Sequence, residues 1–229
     1  MNLKEKSKEA KEYGEIKSEL IRLTEGLIER YKEYEDVYNK IITDWTNKII
    51  TEFKSVFQAE NFTITDKLSD YSGVPGIDEK YKTIKAILYD LHFELSITNG
   101  GNSINFLQIK PETETKNIII QPIVKRYYIK GNYIEIDGVS ASYSNGKSSR
   151  LFKVERNKEK VKNAEFFIDK MQEFVLETMQ EIELLTNELE RIKGIQISSI
   201  AYPYGNLGIA DSDKSYGDFE NFSELIERI

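Results

Sequence analysis

Between Val161 and Ile192, apolar or small side chains recur in an unbroken three-four rhythm: Val161, Ala164, Ile168, Met171, Val175, Thr178, Ile182, Leu185, Leu189 and Ile192. Sustained for more than four heptads, this rhythm predicts a coiled-coil-like helix over 155–194. Arg191 and Lys193 in the last turn, with Gly194 just beyond, suit a helix C-terminus, where the carbonyl dipoles favour cations and glycine accepts left-handed backbone. Phe166, Phe167 and Phe174 widen the apolar stripe early in the helix. Glu181 and Glu188 narrow it later and read as part of a solvated face.

A second amphipathic stretch fills 1–60. Ile16, Leu20, Leu23, Leu27, Tyr31, Tyr34, Tyr38, Ile41, Trp45, Ile49, Phe53 and Val56 follow the helical turn, and no proline interrupts them. Gly14 and Gly26 each cost about 1 kcal/mol against alanine in a helix interior. The two helices have nearly equal apolar lengths, which predicts antiparallel pairing as a stalk on a β head. The alternative lays both across one face of the sheet.

The segment between them, 61–154, reads as an antiparallel meander of five to six strands, so the fold class is α+β. Ile87, Tyr89, Leu91, Phe93, Leu95 and Ile97 alternate with polar neighbours as one half-buried strand. Asp70–Glu79 is expected as a loop, and Asn99–Asn102 as the turn into a strand over Ile104–Ile109. A strand over Ile118–Ile129 contains Pro122, which cannot donate to a ladder and marks an edge or bulge. Gly131-Asn132 and Asn145-Gly146 are hairpin dipeptides that predict strands over Tyr133–Tyr143 and Ser148–Val154. In the tail, 195–229, a turn-rich acidic stretch precedes a short amphipathic helix capped by Asp218. Its face, Phe219, Phe222, Leu225, Ile226 and Ile229, is a candidate partner-binding surface, because so short a helix is stable only when docked.

Composition narrows the chemistry. The chain of 229 residues has no cysteine and one histidine, His92. Disulfides, thiolate catalysis and Cys-based metal sites are excluded, and a Ser–His–Asp arrangement has little to draw on. No cofactor, metal site or catalytic residue is expected. No apolar run is long enough to span a membrane and no secretory leader opens the sequence, so a soluble, cytoplasmic protein is expected. The Lys-over-Arg and Ile-over-Ala bias follows AT-rich codons and suggests a bacterial, phage or plasmid source.

Net charge is −7, with the tail 195–229 strongly acidic, which disfavours general nucleic-acid binding. A local exception is the basic strand end and helix start, Lys125, Arg126, Lys130, Arg156, Lys158 and Lys160, a candidate phosphate-gripping patch. The bland reading is a lysine-rich edge that blocks strand aggregation. Asp90, His92 and Glu94 alternate on one strand face and form a weak carboxylate-based candidate for an enzyme site. The acidic run from Asp211 resembles a calcium loop, but Tyr216 and Phe222 stand where glycine and glutamate are required. Tyr31, Tyr34, Tyr38 and Trp45 suit either a recognition surface or core packing, with core favoured.

These features point to a non-enzymatic protein-binding adaptor or inhibitor. Homo-oligomerisation is expected through the seam Val161, Ile168, Val175, Ile182, Leu189 and Ile192. Nucleic-acid association and a carboxylate enzyme are the alternatives.

Overall fold

The computed structural model describes residues 3–71, 79–98, 104–110, 113–122, 124–127, 132–136, 139–143, 155–156, 164–199, 204–206, 215–217 and 219–228. The fold is α+β. Helix α1 (Leu3–Ala59) precedes strands β1 (Thr63–Tyr71), β2 (Glu79–Leu88), β3 (Leu91–Thr98), β4 (Ile104–Lys110) and β5 (Thr113–Ile120). Strands β6 (Asn132–Ile136), β7 (Val139–Tyr143) and β8 (Glu155–Arg156) follow, then helix α2 (Ala164–Lys193). A 3-10 turn (Ile197–Ser199), β9 (Tyr204–Asn206), β10 (Ser215–Gly217) and helix α3 (Phe222–Arg228) complete the order. The chain divides into two compact units, residues 1–37 with 126–193, and residues 38–125 with 194–229.

In the second unit, seven strands form one antiparallel sheet in the order β1-β2-β3-β4-β5-β9-β10. Register places Ile84 opposite Leu95, Leu95 opposite Phe106 and Phe106 opposite Ile118, a buried apolar row across four strands. Helix α1 covers this face at four-residue intervals through Ile49, Phe53 and Phe57, with Phe57 against Phe93 (ring centroids 4.6 Å apart) and Phe53 against Phe106 (6.3 Å). The helix stops in a Schellman turn. Phe62 N–H donates to Phe57 O (2.9 Å), Asn61 N–H donates to Gln58 O (3.1 Å), and Asn61 takes φ 64°. The apolar contact that accompanies this motif is Phe62 on Phe57.

Several expectations in the sheet need correction. The run Ile87–Ile97 is not one strand: Leu88 pairs with Leu91, and Tyr89, with φ 50° and 91% exposed, turns the chain between β2 and β3. Asp70 and Glu79 belong to paired strands rather than a loop. Strand β5 ends at Ile120, two residues before Pro122. The expected Tyr133–Tyr143 strand is a hairpin, paired from Asn132 with Tyr143 to Ile136 with Val139. The turns at Asn99–Asn102 and Asn145-Gly146 and the strand Ser148–Val154 fall outside the described residues, as do Gly131 and Asp218. Helix α3 is capped instead by Asn221, whose Oδ1 accepts the Glu224 N–H (3.1 Å), while Glu52 of α1 accepts the Phe222 N–H (2.7 Å).

The first unit holds the helix pair and the sheet β6-β7-β8, with β6 against α2. Helix α2 begins at Ala164, and 155–156 are strand rather than helix. The helices run parallel, not antiparallel. Lys193 donates to Glu33 (2.9 Å), and Val175 and Leu176 share a groove with Ile16, so the sequence offset stays near 160. The expected reversal assumed that α2 follows the sheet directly. Instead, Arg126 and Tyr127 meet α1 at Glu35 and Tyr34, the chain forms β6–β8, and α2 then ascends alongside α1. The buried α2 positions are Met171, Phe174, Thr178, Glu181, Leu185, Leu189 and Ile192, facing the buried Leu20, Leu23, Leu27, Tyr31 and Tyr34 of α1.

Candidate functional site

The first unit contains a buried polar network that the sequence pattern hides. Tyr127 donates its backbone N–H to Tyr34 Oη (2.6 Å) and its phenol to Glu181 Oε1 (2.7 Å). Arg126 pairs with Glu35, and the Tyr34 and Tyr127 rings meet edge to face at 6.1 Å. Glu181 is only 6% exposed, so its expected place on a solvated face is wrong. A buried carboxylate needs a donor, and the Tyr127 phenol supplies one. Thr24 and Thr178, also buried on facing helices, return their hydroxyls to the carbonyls of Leu20 and Phe174 (both 2.8 Å). This network joins three chain segments, α1, α2 and the stretch at Arg126 and Tyr127.

At the end of the pair, Lys193 bridges Glu33 (2.9 Å) and Glu190 (3.2 Å), and Arg191 holds Glu188. The hydrogen bond from the Lys193 ammonium keeps the Glu33 carboxyl below its ordinary pKa, and Glu33 in turn raises that of Lys193.

Among the described residues this unit has a groove of about 480 Å³ between α1 and α2, lined by Glu15, Ile16, Glu19, Gln172, Val175 and Leu176. Leu176 is 60% exposed and Met179, one turn on, 50%. Val175 and Ile182, expected in the seam, are half-buried beside them. The α2 helix therefore has a buried face toward α1 and an apolar flank left open. The signal was present in the sequence: Leu176 and Met179 are apolar residues lying off the heptad positions.

The other sequence candidates disperse. Of the seam, Leu189 and Ile192 are buried, Val161 lies outside the described residues, and the Ile168 side chain is not described. Phe219, Phe222 and Leu225 are buried, and Phe222 packs on Phe53 (5.5 Å) and Phe106 (5.4 Å), so this face docks on the chain's own sheet and helix. Ile226 is half-buried, and Ile229 is outside the described residues. In the basic patch, Arg126 is engaged by Glu35 and Lys125 is exposed. Lys130, Lys158 and Lys160 lie outside the described residues, and Arg156 is known only as part of β8. Asp90 sits in the turn after β2, while Glu94 binds Lys85 (2.8 Å), so the expected His92 triad is not assembled on one strand face. Among the described residues no group of three His, Cys, Asp or Glu is placed to hold a metal ion, and no helix is long and apolar enough to cross a membrane. Tyr31, Tyr34, Tyr38 and Trp45 are buried, in agreement with core packing.

No protein-family model, curated protein or solved structure matches the chain.

Proposed function

We propose that the protein is a non-enzymatic adaptor or inhibitor that binds a protein partner through the open flank of α2. The observation carrying this reading is the exposure of Leu176 and Met179 on a long helix whose opposite face is already buried. Contiguous apolar surface rimmed by polar residues marks interaction sites, and Leu176 and Met179, one turn apart, extend the apolar floor of the groove. Methionine adapts to irregular partner surfaces, which suits recognition.

Two observations shift the weight among the readings. The d-type positions Met171, Thr178, Leu185 and Ile192 are buried within the chain, which weakens the case for assembling copies through the seam. Engagement of Arg126 by Glu35 removes a cation from the nucleic-acid patch. The test is site-specific photo-cross-linking in the source cell, with the reactive group at Leu176 and a control at the exposed Tyr89. A discrete cross-linked protein from position 176, missing from position 89, is expected. Equal patterns at both positions, or no adduct at 176, would remove the reading.

A further inference from the structure

The charge around the open flank says what kind of surface would cover it. Around the open flank helix α2 exposes Glu173, Glu177 and Glu183, whereas Glu181 is buried against Tyr127 and Glu188 and Glu190 are paired with Arg191 and Lys193. The groove adds Glu15 and Glu19 from α1 beside an apolar floor of Ile16, Val175 and Leu176, and none of its described lining residues is basic. Part of the α1 charge is balanced along that helix, since Arg22 binds Glu19 and Lys11 approaches Glu15 at 3.8 Å. On α2, Glu183 is exposed, one turn beyond Met179 and on the Leu176 side of the helix.

We infer that this groove receives a basic amphipathic helix of a partner protein, its apolar positions on Ile16, Val175, Leu176 and Met179 and its lysines or arginines beside Glu15 and Glu183. An apolar stripe with acidic margins complements a helix with an apolar stripe and basic margins, by apolar burial and by opposite charge. A second copy of this chain is a poor occupant, because α2 against α2 would set one glutamate-rich face on another. Nucleic acid is repelled by the same field. This inference rests on the protein-binding reading above and names the class of partner.

The probe is a labelled helical Leu/Lys peptide with leucines at i, i+3, i+4 and i+7, titrated against the full chain by fluorescence anisotropy. A Leu/Glu peptide of identical pattern is the control. The Leu/Lys peptide binds, more weakly as salt rises, and the Leu/Glu peptide does not. Leu176→Ser with Met179→Ser lowers affinity by about tenfold or more, through lost apolar burial at unchanged charge. Both side chains are exposed, so far-ultraviolet circular dichroism of this variant matches the parent. Glu15→Gln with Glu183→Gln weakens binding and flattens its salt dependence. Equal affinity for both peptides, or affinity unmoved by the Leu176/Met179 variant, overturns the inference. So does a dimer in light scattering that these substitutions convert to monomer, which assigns the flank to a second copy. A partner cross-linked at position 176 without Leu/Lys peptide binding refutes the partner class and leaves the protein-binding reading in place. Failure of both refutes the two together.

Discussion

The Tyr127 phenol donates to the buried Glu181 carboxylate at 2.7 Å, and the Tyr127 backbone N–H donates to Tyr34 at 2.6 Å. One residue thus ties the chain after the large sheet to both long helices of the first unit. Tyr127→Phe leaves the carboxylate without that donor and costs about 1–3 kcal/mol. Glu181→Gln keeps an acceptor and costs less, and Tyr127→Phe with Glu181→Met recovers part of the loss because both polar partners are gone. Urea unfolding of the parent, Tyr127→Phe, Glu181→Met and the variant combining these two measures this as a double-mutant cycle. Additive effects would mean the hydrogen bond contributes nothing to stability.

Asn61 holds the left-handed position of the Schellman turn that ends α1. Glycine adopts that backbone without steric cost, so Asn61→Gly is neutral or stabilising, whereas Asn61→Val destabilises by about 1–2 kcal/mol. Thermal denaturation of the two variants checks the order. The reverse order would contradict the turn.

Gly26 lies within α1, and a Cβ added there meets nothing within 4 Å. Its cost to the helix is therefore not offset by any packing in the chain itself, and Gly26→Ala raises stability by about 0.5–1 kcal/mol. A loss of stability by chemical denaturation would show that the position is more crowded than the fold implies.

The ion pair between Glu33 and Lys193 sets a pH window. Glu33 has a depressed pKa, so its contribution is present above the unfolded carboxylate value and is lost as pH falls through the folded one. Lys193 has a raised pKa, so its contribution is present below the unfolded amine value and is lost as pH rises through the folded one. The melting-temperature difference between the parent and Lys193→Gln is accordingly flat through neutral pH and shrinks in acid below the carboxylate range. Because both groups are exposed, the plateau is small. A difference that persists undiminished into strong acid would contradict the pairing.

Regular periodicity made both long helices legible, because a 3.6-residue rhythm over tens of residues has no competing strand reading. The hairpin at Tyr89 was not legible: alternation runs through the turn without a break, and Tyr-Asp is no hairpin dipeptide. Glu181 misled for a related reason, since the partner that makes its burial tolerable is Tyr127, far away in sequence. Phe219 and Phe222 read equally well as a docking face for another protein or for the chain itself. Only the burial of both, and the contact of Phe222 with Phe53 of α1 and Phe106 of the sheet, decides between these. Leu176 and Met179 were visible as apolar residues, but heptad counting set them aside because it asks only about the seam.

The groove and its open flank exist because α1 and α2 run parallel, so the most direct test of the account is that register. The chain has no native cysteine, which makes paired cysteine cross-linking clean. Glu33→Cys with Lys193→Cys is joined by a short bis-maleimide, since the two native side chains touch at 2.9 Å. Ile16→Cys with Lys193→Cys is not, because the parallel register separates these positions by about 17 residues of helix, roughly 25 Å. Cross-linking of the second pair and not the first would establish an antiparallel pair and contradict the account.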